Sequence, residues 1–155
     1  MQQDRRQFLQ TLAGMTAGLA FGEMSLGGEG SARRDQFGEL LPLRTFGRTG
    51  EKVTMLGLGG FHLGPMSEKE AQRTIETAIQ GGVRFFDNAE AYFGGTSEKR
   101  YGQFLVPKYR DAAFIMTKTQ ARDAATARRD LEGSLRRLNV DTIDLWQMHS
   151  LSSET

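Results

Sequence analysis

Residues 112–149, AAFIMTKTQARDAATARRDLEGSLRRLNVDTIDLWQMH, contain two short apolar runs separated by a helical pattern. The runs at 112–117 and 142–148 have the length and the apolar content of buried strands. Between them, Asp123 stands at a helix start, and apolar residues then recur at helical spacing. These apolar positions are Ala124, Ala127, Leu131, Leu135 and Leu138. Because parallel strands need a crossover connection such as a helix, the stretch predicts a strand–helix–strand unit of a parallel sheet.

The same alternation continues toward the amino terminus. Ser67 and Glu70 have the spacing of a capping box, and Gly81 with Gly82 follows the apolar helix pattern as a stop signal. The other predicted elements are a hairpin at 43–53 with its turn at 48–51, strands at 54–59 and 83–86, and a helix at 97–105. We therefore predict an α/β fold with about four βα units after an N-terminal hairpin.

Composition excludes several classes of site. The 20 Lys and Arg residues nearly balance the 19 Asp and Glu residues, so net charge gives no indication of nucleic-acid binding. Cysteine is absent, which excludes disulfides, thiolate catalysis and cysteine-ligated metals from this chain. With only His62 and His149 present, no metal site is predicted.

The first 36 residues have a different character from the rest and are predicted to be a signal-like segment and a flexible linker. Arg5 and Arg6 precede an uncharged stretch at 11–21, which is too short for a stable membrane span and resembles a twin-arginine export signal. Residues 22–38 are rich in Gly, Ser and charge, as linkers are. We expect export to the periplasm. The alternative is a cytoplasmic protein whose frayed N-terminus is not a targeting signal. The folded part is predicted to span 37–155.

Three polar residues follow the predicted strands at equal intervals. Asp87 is predicted to end the second strand, and 31 residues separate it from Lys118, as 31 separate Lys118 from His149. One βα unit is about 30 residues long, so these side chains occupy equivalent places in successive units. In a parallel sheet that place is the carboxyl edge, where ligands bind. Tyr92 lies in the loop that leaves the same edge, although each of the four residues also has a purely structural interpretation when taken alone.

The four side chains suit proton transfer to a carbonyl oxygen. An ammonium beside a phenol favours the phenolate, and a carboxylate beside the ammonium keeps it charged and in place. Asp87, Lys118 and Tyr92 therefore predict a relay with Tyr92 as general acid, while His149 is predicted to orient the carbonyl. None of these residues is a serine or cysteine nucleophile, so a hydride donor such as a nicotinamide cofactor would have to complete the reaction.

Four segments resemble the aldo-keto reductase family. They are 56–61 (LGLGGF), 82–92 (GVRFFDNAEAY), 115–119 (IMTKT) and 135–149 (LRRLNVDTIDLWQMH), and the resemblance covers roughly 40–151. It implies a partial (β/α)8 TIM barrel, an NADP(H) cofactor, a small-molecule carbonyl substrate and a catalytic set of Asp87, Tyr92, Lys118 and His149.

The resemblance also implies a cofactor loop. In it, Gly59, Gly60 and Phe61 approach the nicotinamide, and Asp87 lies near the cofactor. The sequence departs from the family pattern at Asn88, where threonine is frequent, and at Phe93, which precedes two glycines.

A complete barrel of this kind needs about 250 residues, so we expect the chain to hold the N-terminal half and to be inactive alone. Open strand edges on such a half would allow self-association. Two alternatives to an enzyme remain from sequence: a non-catalytic nicotinamide-binding regulatory relative and an inactive gene remnant.

Overall fold

The computed structural model describes residues 33–151, and two small antiparallel hairpins come first. Strand β1 (Arg34–Asp35) pairs with β2 (Gly38–Glu39), and β3 (Leu43–Thr45) pairs with β4 (Lys52–Thr54). The second hairpin is the one that the sequence predicted. The twin-arginine-like signal lies outside the described residues, so export stays a prediction.

Four parallel strands form the main sheet, in the order β5-β6-β7-β8. They are β5 (Gly57–Gly59), β6 (Phe85–Asp87), β7 (Phe114–Thr119) and β8 (Leu145–Met148). The helices are α1 (Glu68–Gln80), α2 (Thr96–Phe104), α3 (Val106–Tyr109) and α4 (Ala124–Leu138), with 3-10 turns at Phe61–Leu63 and Tyr92–Gly95. Successive strands are neighbours and helices connect them, which is the α/β arrangement that the sequence predicted.

The two long helices begin where side-chain capping was expected. At α1, the Ser67 hydroxyl accepts from the Glu70 amide while the Glu70 carboxylate accepts from the Ser67 amide, so the capping box is present. At α4, the Asp123 carboxylate accepts from the Thr126 amide at 2.9 Å. Helix α4 ends at Asn139, which adopts the left-handed conformation that glycine most often takes at this position.

A single apolar core lies between these helices and one face of the sheet. Phe86 on β6 and Ile115 on β7 are fully buried in it. The helices contribute Ala71, Ile75 and Ile79 from α1, Tyr101 from α2 and Leu138 from α4, and Leu105 follows α2 directly. Since adjacent residues of a strand point to opposite faces, Asp87 and Met116 belong to the other face.

The first predicted strand is shorter and more exposed than expected. The run at 54–59 was predicted as one buried strand, but Thr54 ends β4 and only Gly57–Gly59 joins the sheet. Met55 and Leu56 between them are 63% and 61% exposed. The Thr54 hydroxyl instead donates to the Leu56 carbonyl, which supports a bend between the hairpin and the sheet.

Hairpin β1-β2 begins inside the stretch at 22–38 that the sequence predicted as a flexible linker. Asp35 accepts two hydrogen bonds from the Arg84 guanidinium, at 2.6 and 2.8 Å, and Arg84 is 6% exposed. This pairing lowers the pKa of the Asp35 carboxyl. The Phe37 ring packs edge-on against Tyr109 with centroids 4.9 Å apart. The hairpin is thus held by an ion pair and an aromatic contact with residues that are distant from it in sequence.

None of the helices in the described range combines the length and apolarity that a membrane span needs. Strands β5 and β8 are the outer strands of the four-stranded sheet as described. Self-association through these strands stays a prediction.

Candidate active site

The strand register brings Asp87, Lys118 and His149 to one face of the sheet. Asp87 pairs with Met116, which is two residues before Lys118, and Lys118 pairs with Gln147, which is two residues before His149. An offset of two residues keeps each side chain on the same face, because side chains alternate with period two. The sequence analysis predicted a strand at 112–117 with Lys118 at its end, whereas β7 spans Phe114–Thr119 and continues one residue beyond Lys118.

Lys118 is at the centre of the predicted cluster. Its side chain is largely buried, and its ammonium donates to the Asp87 carboxylate, to the Asn88 carbonyl at 2.7 Å and to the Tyr92 hydroxyl at 3.4 Å. An ammonium has three N–H donors, and each has an acceptor here. The ammonium is therefore fixed in place between the carboxylate and the phenol.

The chain turns tightly after β6, and this turn positions Tyr92. The Glu90 amide donates to the Lys118 carbonyl at 3.1 Å, so the turn is tied to β7. The Tyr92 amide then donates to the Ala89 carbonyl, also at 3.1 Å. As a result the half-buried phenol ring lies beside Lys118, whose Nζ is 5.1 Å from the ring centroid.

His149 immediately follows β8 and contacts Tyr92. Its amide donates to the Thr119 carbonyl at 2.8 Å, which extends the pairing with β7 by one bond. The imidazole ring packs edge-on against the Tyr92 ring with centroids 5.6 Å apart. The buried Nδ1 atom has no hydrogen-bond partner in the described part of the chain.

The loop after β5 supplies the other predicted residues. The Gly60 amide donates to the Asp87 carbonyl at 2.7 Å, and a Cβ on Gly60 would lie 2.8 Å from the Asn88 side chain. Gly59 is exposed and has open space where a Cβ would be. Phe61 packs edge-on against the Tyr92 ring at 5.2 Å. The structure thus brings the predicted cofactor loop to Asp87 and Tyr92; whether it binds a cofactor stays a prediction.

Two buried residues that the sequence analysis did not single out support this site. The Tyr101 hydroxyl donates to the Leu58 carbonyl at 2.8 Å and lies 3.4 Å from the Asp87 carbonyl. It therefore links β5 to β6. Burial, together with the nearby Asp87 charge, raises the pKa of Tyr101 well above its ordinary value, so this phenol stays protonated as a donor. Glu98 accepts a hydrogen bond from Thr117, the residue before Lys118.

The arrangement can hold a carbonyl oxygen between two donors. Tyr92 and His149 lie side by side, and Lys118 behind Tyr92 stabilises negative charge on the phenol oxygen. Such a set can donate a proton, but it contains no group that attacks carbon.

Residues 55–155 match the aldo/keto reductase family. The chain belongs to this family. It is 33% identical over 126 residues to L-galactose dehydrogenase from Arabidopsis thaliana, covering 72% of the chain and 39% of that enzyme. It is 36% identical over 118 residues to the aldo-keto reductase YhdN from Bacillus subtilis, covering 65% of the chain and 35% of the relative.

Solved structures of the family have the same fold. The aldo-keto reductase AKR11C1 from Bacillus halodurans, in its holo form, superposes with a TM-score of 0.67 at 28% identity, covering 74% of this chain and 42% of that one. An aldo/keto reductase from Klebsiella pneumoniae, solved in complex with NADP and acetate, gives a TM-score of 0.59 at 28% identity, covering 67% of this chain and 38% of that one. The prediction of a partial (β/α)8 barrel is confirmed. The chain spans about two fifths of the length of these relatives.

Proposed function

We propose that this protein is an NADP(H)-dependent oxidoreductase that reduces an aldehyde or ketone to an alcohol, with Tyr92 as the proton donor. The observation that carries the proposal is the contact of the Lys118 ammonium with both the Asp87 carboxylate and the Tyr92 hydroxyl. Family membership supports an oxidoreductase, and two structures from Klebsiella pneumoniae contain NADP or NADPH, which supports this cofactor.

The residues fit a nicotinamide cofactor in their chemistry. When bound, such a cofactor supplies the hydride that no side chain of the cluster can provide. The exposed Gly59 and the adjoining Phe61 would line it, and Asp87 would lie near it.

Each member of the cluster has a defined task in this proposal. Tyr92 gives its proton to the carbonyl oxygen, and the Lys118 ammonium stabilises the phenolate that remains. Asp87 holds the ammonium in position through their ion pair. His149 contacts the Tyr92 ring edge-on and orients the carbonyl oxygen toward the phenol.

The test uses a chimera, because the chain spans only part of the length of its relatives. Residues 55–151 replace the matching segment of the Bacillus halodurans reductase, and oxidation of NADPH is followed by absorbance with 4-nitrobenzaldehyde as substrate. We expect aldehyde-dependent oxidation that Tyr92→Phe lowers by about 10²- to 10⁴-fold, the usual contribution of a general acid. Tyr109→Phe, which makes the same change far from the cluster, should leave the rate unchanged. The 155-residue chain assayed alongside is expected to be inactive.

Two results would contradict the proposal. Turnover that persists in a folded Tyr92→Phe chimera would remove Tyr92 from its role. A folded chimera that binds NADPH, measured by fluorescence, but never consumes it would favour the non-catalytic regulatory alternative instead.

A further inference from the structure

Arg122 lies in the loop between β7 and α4 and bonds to the chain that leaves β8. Its Nη2 atom donates to the His149 carbonyl at 2.9 Å and to the Ser150 carbonyl at 3.1 Å. Its Nη1 atom donates to the Gln120 and Ala121 carbonyls, at 2.9 and 3.0 Å. Exposed arginines are usually solvated, but this one directs its donors at four backbone carbonyls. Because the guanidinium is planar and rigid, it fixes the loop after β7 to the loop after β8.

The backbone of His149 is held on both sides by hydrogen bonds. On its amino side, the His149 amide donates to the Thr119 carbonyl, and on its carboxyl side the carbonyl accepts from Arg122. The rotamers open to a side chain depend on the φ and ψ angles of its backbone. Fixing both peptide groups therefore limits where the imidazole points, and in this structure it points at the Tyr92 ring.

The residue after His149 has a backbone conformation that needs support. Ser150 has a φ angle of 54°, in the left-handed region where a residue with a Cβ is strained. Such a conformation persists when its surroundings hold it. Arg122 bonds to the carbonyls on both sides of this strained N–Cα bond. Without the guanidinium, we expect Ser150 to relax and to turn the peptide group that joins it to His149.

We propose that Arg122 is a positioning residue that holds the His149 imidazole against the phenol of Tyr92. The proposal rests on the proposed function, because the imidazole orients a carbonyl oxygen toward Tyr92 only from that position. Arg122 acts through the backbone of His149 and touches none of the reacting atoms. Such an indirect role matters for the rate, since displacing an orienting group by about 1 Å can lower a rate by about 10²-fold.

Proton NMR of the full 155-residue chain without cofactor measures the contact directly. The chain has two histidines, so His149→Asn identifies which imidazole signals belong to His149. We expect nuclear Overhauser cross-peaks between the ring protons of His149 and Tyr92, and we expect Arg122→Ala to abolish them. The cross-peaks between His62 and Phe61, whose rings pack edge-on at 5.2 Å, should remain as an internal reference.

Kinetics in the chimera described above test the consequence for the reaction, because the inserted segment contains both Arg122 and His149. We expect Arg122→Ala to lower kcat by about 10- to 10²-fold, as misplacement of an orienting group does. In a His149→Asn background the same change should lower kcat no further, because Arg122 acts through His149. Arg128→Ala removes an exposed arginine from α4 and should keep both the rate and the cross-peaks.

Four results would each overturn the proposal: no His149–Tyr92 cross-peaks in the wild type, cross-peaks that survive in a folded Arg122→Ala chain, an unchanged kcat, or a further loss of rate in the His149→Asn background. Thermal unfolding checks that the variant folds. If Arg122→Ala does not fold, Arg122→Gln replaces it, because the shorter amide cannot reach all four carbonyls. Failure of the proposed function is distinguishable. Cross-peaks that depend on Arg122 in a protein without turnover refute only the reductase, whereas Tyr92-dependent turnover with cross-peaks that survive Arg122→Ala refutes only the positioning role.

Discussion

Glu98 is a fully buried charged residue that contacts the strand carrying Lys118. Its side chain has no solvent exposure, and its two oxygens accept from the Thr117 hydroxyl and from Arg137 Nε, each at 2.6 Å. These contacts join α2 to β7 and to α4. Since Thr117 precedes Lys118 in the chain, this network fixes the strand segment that carries the central ammonium.

Glu98→Ala should lower the free energy of unfolding by about 2–4 kcal/mol. Leaving the buried Thr117 hydroxyl without an acceptor costs about 1–3 kcal/mol. Breaking a fully buried ion pair costs about 3–5 kcal/mol, but the Arg137 side chain is 25% exposed and water can solvate part of the guanidinium, so the total lies below the sum. Glu98→Gln keeps an acceptor for Thr117 and should cost less than Glu98→Ala.

Urea unfolding followed by circular dichroism measures these differences. Glu132→Ala removes an exposed glutamate from α4 and should change stability by less than about 0.5 kcal/mol. The double variant Glu98→Gln with Arg137→Met should show a coupling of about 1 kcal/mol or more, because the two residues contact each other. A loss below about 1 kcal/mol for Glu98→Ala, or additive effects in the double variant, would refute the idea that this carboxylate joins the three elements.

Two further predictions concern the N-terminal hairpin and the glycine loop. Asp35→Asn should cost about 1–3 kcal/mol at pH 7 by weakening the pair with Arg84. Because the folded-state pKa of Asp35 is lowered, the difference from wild type should be full above about pH 4 and shrink as the pH falls through that lowered pKa. Urea unfolding at several pH values measures the stability difference, and Asp111→Asn, at an exposed position, is the control. A stability difference between Asp35→Asn and wild type that does not change with pH would contradict this prediction. Gly60→Ala should lower the free energy of unfolding by about 1–3 kcal/mol, because the new Cβ would lie 2.8 Å from the Asn88 side chain. Gly59→Ala has open space for its Cβ and should not destabilise the chain. Equal shifts in the melting temperatures of the two variants would contradict this prediction.

Local signals predicted the starts of the long helices. The Ser67–Glu70 capping box and the Asp123 cap involve residues three positions apart, so the sequence holds both partners of each hydrogen bond in one short window. The hairpin at 43–53 was predicted for the same reason. Structural features whose interacting residues are close in sequence can therefore be predicted without knowledge of the fold.

Features that depend on distant partners were missed or wrong. The apolar run at 54–59 has the composition of a buried strand, yet Met55 and Leu56 are exposed because the chain bends there between two sheets. Glu98 gave no signal, since a glutamate in a helix pattern is usually solvated and its partners lie 19 and 39 residues away. Asp35 was assigned to a linker, although its partner is 49 residues further along.

The spacing of Asp87, Lys118 and His149 lies between these two cases. Equal separations of 31 residues indicate equivalent places at the carboxyl edge of successive strands, but not which face each side chain takes. The face is decided by the pairing register: both offsets are two residues, and a shift of one would turn Lys118 toward the buried helices, beside Phe86 and Ile115. The apolar core sets that register, because Phe86 and Ile115 can be buried only when the residues next to them face away from the helices. The packing of the hydrophobic side of the sheet therefore determines that the carboxylate, the ammonium and the imidazole meet on the other.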